Sequence, residues 1–565
     1  MTVSTPSPTA TDPAWTKPGP GSWTLDLDHT GPTPSRAVRD LLAEGAEVGL
    51  AQAADLLGAP FATMHVRFVN GRFYRRMVPV VAGGRDVPPP PAPALWLGAR
   101  IMPALRARER AARAALDGRI WLDELQTWEA EWKPTIEARN TEFATVDPSG
   151  LDNRALADHI EALWEHLRWT TTLHFRLHGT DVGPIGLLLA RTDELGIERD
   201  AVFAALAGAS PATNAPAVAF ASVAQQVAEV AGGTDVHSLD EVRALSPEIG
   251  AALDRLITRF GWRLTTGYDL IDRTLVELPG VILRAVSRPS AEAPGASAQA
   301  DAEDRGERAS RALVERVPAS RRDEIAVALA DARRCYGLRD ENGPLTYEWP
   351  AGILRRAFLE TGRRLVASEA VESGEHVFDA TVDELLSLLR EDPGPLAAEL
   401  AERHATRSSW AHLDAPEVLG PPEQIPPLWA LPRGMRMLTS ATLAVMDLLG
   451  TERTEARSEQ LRGLGIGSDR YVGTARVVLD AAEAYERVEP GDVLVTAATA
   501  PTFNAVLALA GAVVVEEGGQ LSHAAVIARE LGFPAVIGAE GATSGIPDGS
   551  TVEVDPIDGR VRVLS

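Results

Sequence analysis

"VVVEEGGQLSHAAVIARELGFPAVIG", residues 513–538, sets a short apolar run against a helical one, with a glycine turn and one histidine between them. "GAVVVEE" (511–517) reads as a buried strand. Gly518 and Gly519 permit positive φ and a close backbone approach. Ser522 is a good N-cap, and a helix over 523–531 stops at Gly532 with Pro534 just beyond. His523 therefore falls in the first turn of a helix. The positive end of the helix disfavours imidazolium and keeps the ring neutral and nucleophilic. The same end offers free N–H groups to a dianionic phosphoryl group on that ring. A lone histidine after a glycine turn is more commonly a surface or capping residue, so the surrounding sequence has to decide.

From about residue 461 that sequence is rich in short β runs: "YVGTARVVL", "DVLVTA", "GAVVVEE", "PAVIG", "TVEVD" and "RVRVL". Helical stretches such as "PTFNAVLALA" and "SHAAVIAREL" lie between some of them, and "PIDG" marks a hairpin between the last two. This predicts a compact α/β domain of ordinary size. The preceding chain is helical by period. "NRALADHIEALWEHLRWTTTLHFRLHG" places Ala157, Ile160, Leu163, Trp164 and Leu167 on one stripe, with Gly179 as the expected C-cap. The fold class expected is multidomain, mainly α-helical, followed by a C-terminal α/β domain.

The string "GGxxSHxAxxARExGxPAVxG" with "GxxVxVDxxxGxVxxL" closely resembles the mobile phosphohistidine domain of phosphoenolpyruvate-utilising enzymes, a family that includes phosphoenolpyruvate synthase, pyruvate phosphate dikinase and rifampicin phosphotransferase. The resemblance implies that His523 carries phosphate and that its domain swivels, with Ser522, Gly518, Gly519 and Gln520 shaping the turn. It extends more weakly through "GSWTLDLDHTGPTPSRAVRDLL" (21–42), "VNGRFY" (69–74), "RFGWRLTTGYDL" (259–270) and "ARRCYGLRDENG" (332–343), which are similar to the helical acceptor domain of the rifampicin phosphotransferase group. By that resemblance Arg339 is a phosphate or transition-state clamp, a task suited to a guanidinium fork. Residues 1–20, rich in Pro, Ser and Thr, read as a disordered tail, and 287–308, almost without large apolar side chains, as a flexible loop; with the resemblance this gives a mostly helical acceptor domain at 21–432, a linker at 433–462 and the swivelling domain at 463–565.

The departures matter too. The family's Gly-His-Arg is Gly261-Trp262-Arg263 here, its following Glu is Gly267, a basic residue after the arginine is replaced by Gly343, and Thr-Asp-Pro reads Thr499-Ala500-Pro501. The ATP-grasp nucleotide domain that opens full-length relatives has no counterpart in these residues, and no Gly-x-x-x-x-Gly-Lys-Ser/Thr loop replaces it. ATP and magnesium are therefore expected only through an ATP-grasp partner protein, with no cofactor held stably.

Other candidates are weaker. His174 and His178 are spaced i, i+4 and share a helix face. Without an adjoining Glu they are not the zinc-protease motif, and no metal site is expected. They pack in the core or line an acceptor cleft, with Trp164 and Trp169 nearby. His65 and Arg67 alternate onto one side of a strand, with Arg72 and Tyr74 on the same parity, as an exposed basic face or an anion site.

Composition narrows the classes. A net charge of −24 argues against a phosphate-backbone binder. No run approaches the ~18 apolar residues that span a bilayer. With Cys335 alone, no intramolecular disulfide forms, and a cytoplasmic location is expected. Two functions follow. In the first, His523 passes phosphate from the partner to a small hydroxylated acceptor of aromatic or secondary-metabolite type, with Arg339, Arg263, Trp262, His174, His178 and Arg67 as candidates around it. In the second, His523 is a general acid or base in a phosphate-independent dehydratase or lyase, hydrolase or isomerase.

Overall fold

The apolar runs of the C-terminal quarter become one sheet because alternate residues can be buried on both of its faces. The computed structural model describes residues 15–26, 30–31, 33–81, 90–232, 235–265, 268–287, 296–421, 425, 427–449, 461–467, 469–479, 481–499, 503–507, 509–520 and 522–564. Its strands are β1 (Trp23–Leu25), β2 (Phe61–Val69), β3 (Arg72–Pro79), β4 (Val418–Leu419), β5 (Leu461–Arg462), β6 (Leu464–Ile466), β7 (Tyr471–Val477), β8 (Val493–Thr496), β9 (Ala512–Val515), β10 (Ala535–Ile537), β11 (Thr551–Asp555) and β12 (Arg560–Val563). The C-terminal sheet has the order β5-β12-β11-β7-β8-β9-β10-β6. β7 to β10 are parallel, and β11 and β6 close them on either side antiparallel. Val513 and Val515 point into one apolar cluster and Ala512 and Val514 into another, the period of two that a doubly covered strand requires.

The smaller sheet, β2-β3-β1-β4, is joined from both ends of the helical part. Asn70 and Gly71, with φ of 47° and 77°, turn β2 into β3. The helix Asn153–Asp181 runs through the main core and buries Ala157, Ile160, Leu163 and Leu167 completely. Gly179 does not end it. A Cβ there would stand 2.5 Å from Leu57 Cδ1, so the glycine serves close packing inside the helix.

Three expectations about irregular segments are corrected. Of the 287–308 loop, residues 296–308 are the first part of a helix, Ala296–Arg316, and 288–295 lie outside the described residues. The segment lacks large apolar side chains because it is Gly306 that touches the neighbouring backbone, where a Cβ would come 2.0 Å from Ala207 O. Its Ala, Glu and Arg content favours helix on its own. The linker expected at 433–462 is a helix over Arg433–Leu449. The carboxylate of Glu109 accepts from the Gly434 and Met435 N–H groups at 3.1 and 3.0 Å, and Gly186 admits the helix against the core. Residues 450–460 of that linker lie outside the described residues, and Leu461 is already paired in the C-terminal sheet. In the 1–20 tail, Trp15 packs edge-on against Tyr74 at 6.2 Å.

The two parts share their apolar clusters. Phe220, Val223 and Val227 of the helix Pro211–Ala231 join Val506, Leu507, Ala524 and Ala525 of the C-terminal domain. Val526 joins Phe203, Leu206 and Tyr336. Among the described residues no helix is long and apolar enough to cross a membrane.

Candidate functional site

β9 delivers the chain to a turn that only glycine allows. Gly518 has φ of +121°, and a Cβ there would meet Ser522 Cβ at 2.8 Å. The Ser522 N–H donates to Gly519 O at 3.0 Å, and its Oγ accepts from the Ala525 N–H at 3.3 Å, capping the helix His523–Leu531. Gly532, at φ 77°, ends that helix. His523 is thus the first residue of a capped helix, as the sequence predicts.

The turn and the helix are bonded to the helical part. Gln520 Nε2 donates to Asp200 at 2.7 Å, and Arg529 Nη1 donates to Gln520 O at 2.6 Å while its guanidinium lies 4.9 Å from the Phe203 ring centre. Glu530, 1% exposed, accepts the Gly208 N–H at 3.0 and 3.2 Å. Burial pushes the Glu530 carboxyl up to about 8, against the opposing pull of the Gly208 N–H and the Arg305 and Arg333 guanidinium groups; Asp340 adds to the rise. Gly208 itself sits at φ +72° with Glu303 N 2.3 Å from where a Cβ would be.

A long helical rod passes beneath this interface. The helix Arg322–Gly343 continues through a π turn, Pro344–Glu348, into the helix Trp349–Ala367. Pro344 has no N–H to donate to the preceding turn, and the widened turn forms there. Tyr336 of the rod packs with Val526 of the histidine helix. One turn on come Arg339 and Asp340, and the Asp340 carboxylate accepts from Ser210 Oγ at 2.5 Å and from Thr213 Oγ1 at the start of the Pro211–Ala231 helix. Burial raises the Asp340 carboxyl, with the two hydroxyl bonds and Arg339 pulling the other way.

Further along the rod is an inner cluster. His174, 3% exposed, bonds through Nδ1 with Asn342 Oδ1 at 3.2 Å and Thr346 Oγ1 at 3.3 Å. Asn342 Nδ2 donates to Asp181 at 3.2 Å, and Asp181 pairs with His178 Nδ1 at 3.2 Å. The rings of His174 and Tyr268 are 6.0 Å apart, and those of Tyr268 and Tyr347 are 4.9 Å apart. The segment carrying Trp262, Arg263 and Tyr268 is clamped onto the rod. Arg355 holds Glu277 bidentately at 2.8 Å, and Gly352 lets the rod touch the Trp262 carbonyl, which would be 1.7 Å from an added Cβ. Arg263 Nε is sealed from solvent without a hydrogen-bond partner among the described residues. Burial lowers its pKa to about 10, so it remains a cation.

Glu348, at the end of the π turn, is 3% exposed, and burial raises its carboxyl to about 7 although Arg263 opposes the rise. Sequence reading missed Glu348, Tyr268, Asn342 and Asp340. Their signal was proximity along the chain to Arg339 and Arg263, with no motif of their own. The structure places His174, His178, Trp262 and Arg263 on segments that meet the rod. Arg67 lies on the β2–β3 hairpin, where it is 3.9 Å from Glu47, and Arg72 donates to Leu413 O at 2.6 Å. Those charges are already engaged by protein groups. Gly267 and Ala500-Pro501 fall outside the described residues.

Residues 488–559 match the mobile domain of PEP-utilising enzymes. The chain is 27% identical over 544 residues to a chondramide synthase of Chondromyces crocatus, covering 90% of this chain and 13% of that protein. It is 29% identical over 348 residues to a rifampicin phosphotransferase of a Streptomyces species, covering 60% of this chain and 38% of that one. An uncharacterized protein of Mycobacterium tuberculosis is 34% identical over 212 residues, 38% of this chain and 22% of its own length. The chain thus spans well under half the length of these relatives.

Proposed function

We propose that this protein is a phosphotransferase component. His523 receives a phosphoryl group from ATP and magnesium held by a separate ATP-grasp partner, and passes it to a small hydroxylated acceptor, aromatic or of secondary-metabolite type, bound against the rod. The observation that carries the reading is the capped, phosphohistidine-type helix seated over the rod that bears Arg339, in a domain that matches the PEP-utilising mobile family. A phosphoryl group carried at the start of a helix is stabilised by the N–H groups and positive end of its first turn. The acceptor oxygen attacks phosphorus, the N–P bond breaks, and Arg339 with Arg263 offsets the developing charge. The domain swings between donor and acceptor. Similarity to a protein named rifampicin phosphotransferase supports phosphotransfer to a small-molecule acceptor.

The second reading makes His523 a general acid or base with no phosphate, in a dehydratase or lyase, hydrolase or isomerase. It draws on the hydrogen bonds from Gln520 to Asp200 and from Gly208 to Glu530, which hold the histidine helix closed. Intact-protein mass after incubation with ATP and magnesium, with and without an ATP-grasp protein, separates the two. An acid-labile gain of one phosphoryl group that His523→Ala abolishes is expected. A substrate turnover lost in His523→Ala with no such gain under any condition would refute phosphotransfer.

A further inference from the structure

Glu348 is a buried carboxylate with an unmet requirement. It takes no hydrogen bond and no ion pair from any described residue, although it is 3% exposed. The nearest opposite charge acting on it is Arg263, which lies beyond ion-pair contact and has its own buried Nε unsatisfied. A carboxylate and a guanidinium buried near each other without direct contact each keep hydrogen-bonding capacity that a polar ligand can fill. Gly343 leaves a small space beside Glu348 unfilled. A Cβ there would stand 3.2 Å from Tyr268 Oη and 3.6 Å from Glu348 Oε1, so the hydroxyl and the carboxylate both border the volume that a side chain at 343 would fill.

The chemistry of the gap selects its occupant. An anion is opposed by Glu348 and a cation by Arg263. A hydroxyl satisfies both, because its oxygen accepts from the guanidinium while its proton is donated to the carboxylate. The Tyr268 ring is inclined at 55° to the Tyr347 ring and at 58° to the His174 ring, so Tyr268 offers an aromatic edge to this space rather than a continuous flat surface. The separation along the rod is one that the swing of the histidine domain has to close. From Tyr336, under the histidine helix, to Gly343 is about 10 Å at a helical rise of ~1.5 Å per residue, with Arg339 between.

We propose that Glu348 is the general base that takes the proton of the acceptor's hydroxyl, in a pocket where Arg263 holds the hydroxyl oxygen and Tyr268 borders an aromatic ring. The inference rests on the phosphotransfer reading and names the catalytic group on its acceptor side. In the step, the acceptor oxygen forms a bond to phosphorus as the N–P bond of phosphorylated His523 breaks. The N–P electron pair returns to the imidazole, and the proton moves to the Glu348 carboxylate and from there through water to the released ring nitrogen. The charged group acting on Glu348 is Arg263, and the titratable Tyr268 hydroxyl borders the same Gly343 position. The base works as carboxylate, so transfer rises with pH through the carboxyl's value of about 7 and levels off above it.

The test loads the full chain at His523 chemically with phosphoramidate, then follows discharge to 4-methylphenol and to rifampicin by phosphorus NMR from pH 5.5 to 9. The rate read is discharge of an already loaded histidine. Wild type is expected to discharge with a rising limb near pH 7, and Glu348→Gln to discharge about 100-fold more slowly with that limb gone. Gly343→Ala, which keeps the carboxylate, is expected to raise KM for 4-methylphenol and retain the pH limb. Equal rates and pH profiles in wild type and Glu348→Gln would overturn the role of Glu348 and leave phosphotransfer standing. The role would also be overturned, should Glu348→Gln not fold, by an unchanged KM in Gly343→Ala. A wild type that neither loads nor discharges to either acceptor would overturn phosphotransfer and this inference together.

Discussion

Replacing Glu530 by Gln isolates the cost of burying a carboxylate between the histidine helix and the helical part. In the folded protein the carboxyl is held at about 8 against an ordinary value of 4.5, chiefly by burial. A raised acid favours the protonated form, so the folded state is fully favoured below 4.5 and loses stability as pH climbs through the window from 4.5 to 8. Each unit of separation is worth about 1.4 kcal/mol. At pH 7, about 2.5 units into the window, wild type forfeits at most ~3 kcal/mol relative to its low-pH stability, and close to 5 kcal/mol once the window is passed. Gln keeps an oxygen to accept the Gly208 N–H and carries no charge at any of these pH values. Glu530→Gln is therefore expected to match wild type near pH 5 and to exceed it by roughly 1–3 kcal/mol at pH 7. The gap should widen to about pH 8.5 and then stay constant. Asp340, Arg305 and Arg333 face the same carboxyl and are common to both proteins. Urea unfolding at pH 5, 7 and 8.5 reads the difference. A gap that does not change with pH, or a variant less stable throughout, would refute the reasoning.

Two further substitutions probe the frame of the site. Gly518→Ala forces a side chain into φ +121° and against Ser522, and is expected to cost about 1–3 kcal/mol and to slow phosphoryl loading of His523, read by urea midpoint and intact mass. Gly352→Ala drives a Cβ into the Trp262 carbonyl and is expected to cost about 1–3 kcal/mol and shift the tryptophan emission, because the segment carrying Trp262, Arg263 and Tyr268 must move off the rod; an unchanged midpoint would show that the contact is not as tight as drawn.

Local signals carried the histidine helix from sequence to structure without loss. Ser522, Gly518, Gly532 and the apolar triplet Val513–Val515 act within a few residues of themselves, so a cap, a turn, a stop and a buried strand are legible where they stand. The central helical stripe was legible for the same reason. What failed locally was the first part of the helix Ala296–Arg316, where Ala302 and Gly306 rather than large apolar side chains make the contacts, and the helix Arg433–Leu449, whose first N–H groups are bonded by Glu109 from a distant part of the chain.

The sequence by itself determined that His523 opens a helix after a glycine turn, in an α/β domain of the PEP-utilising mobile type. Only the tertiary structure decided what that helix faces. Burial of Glu530 under Gly208, the passage of one rod from Tyr336 to Glu348, and the influence of Arg263 on Glu348 depend on residues far apart in the chain. A carboxylate reads the same in any sequence, and its proton affinity is set by the water removed and the charges brought near it when the chain folds.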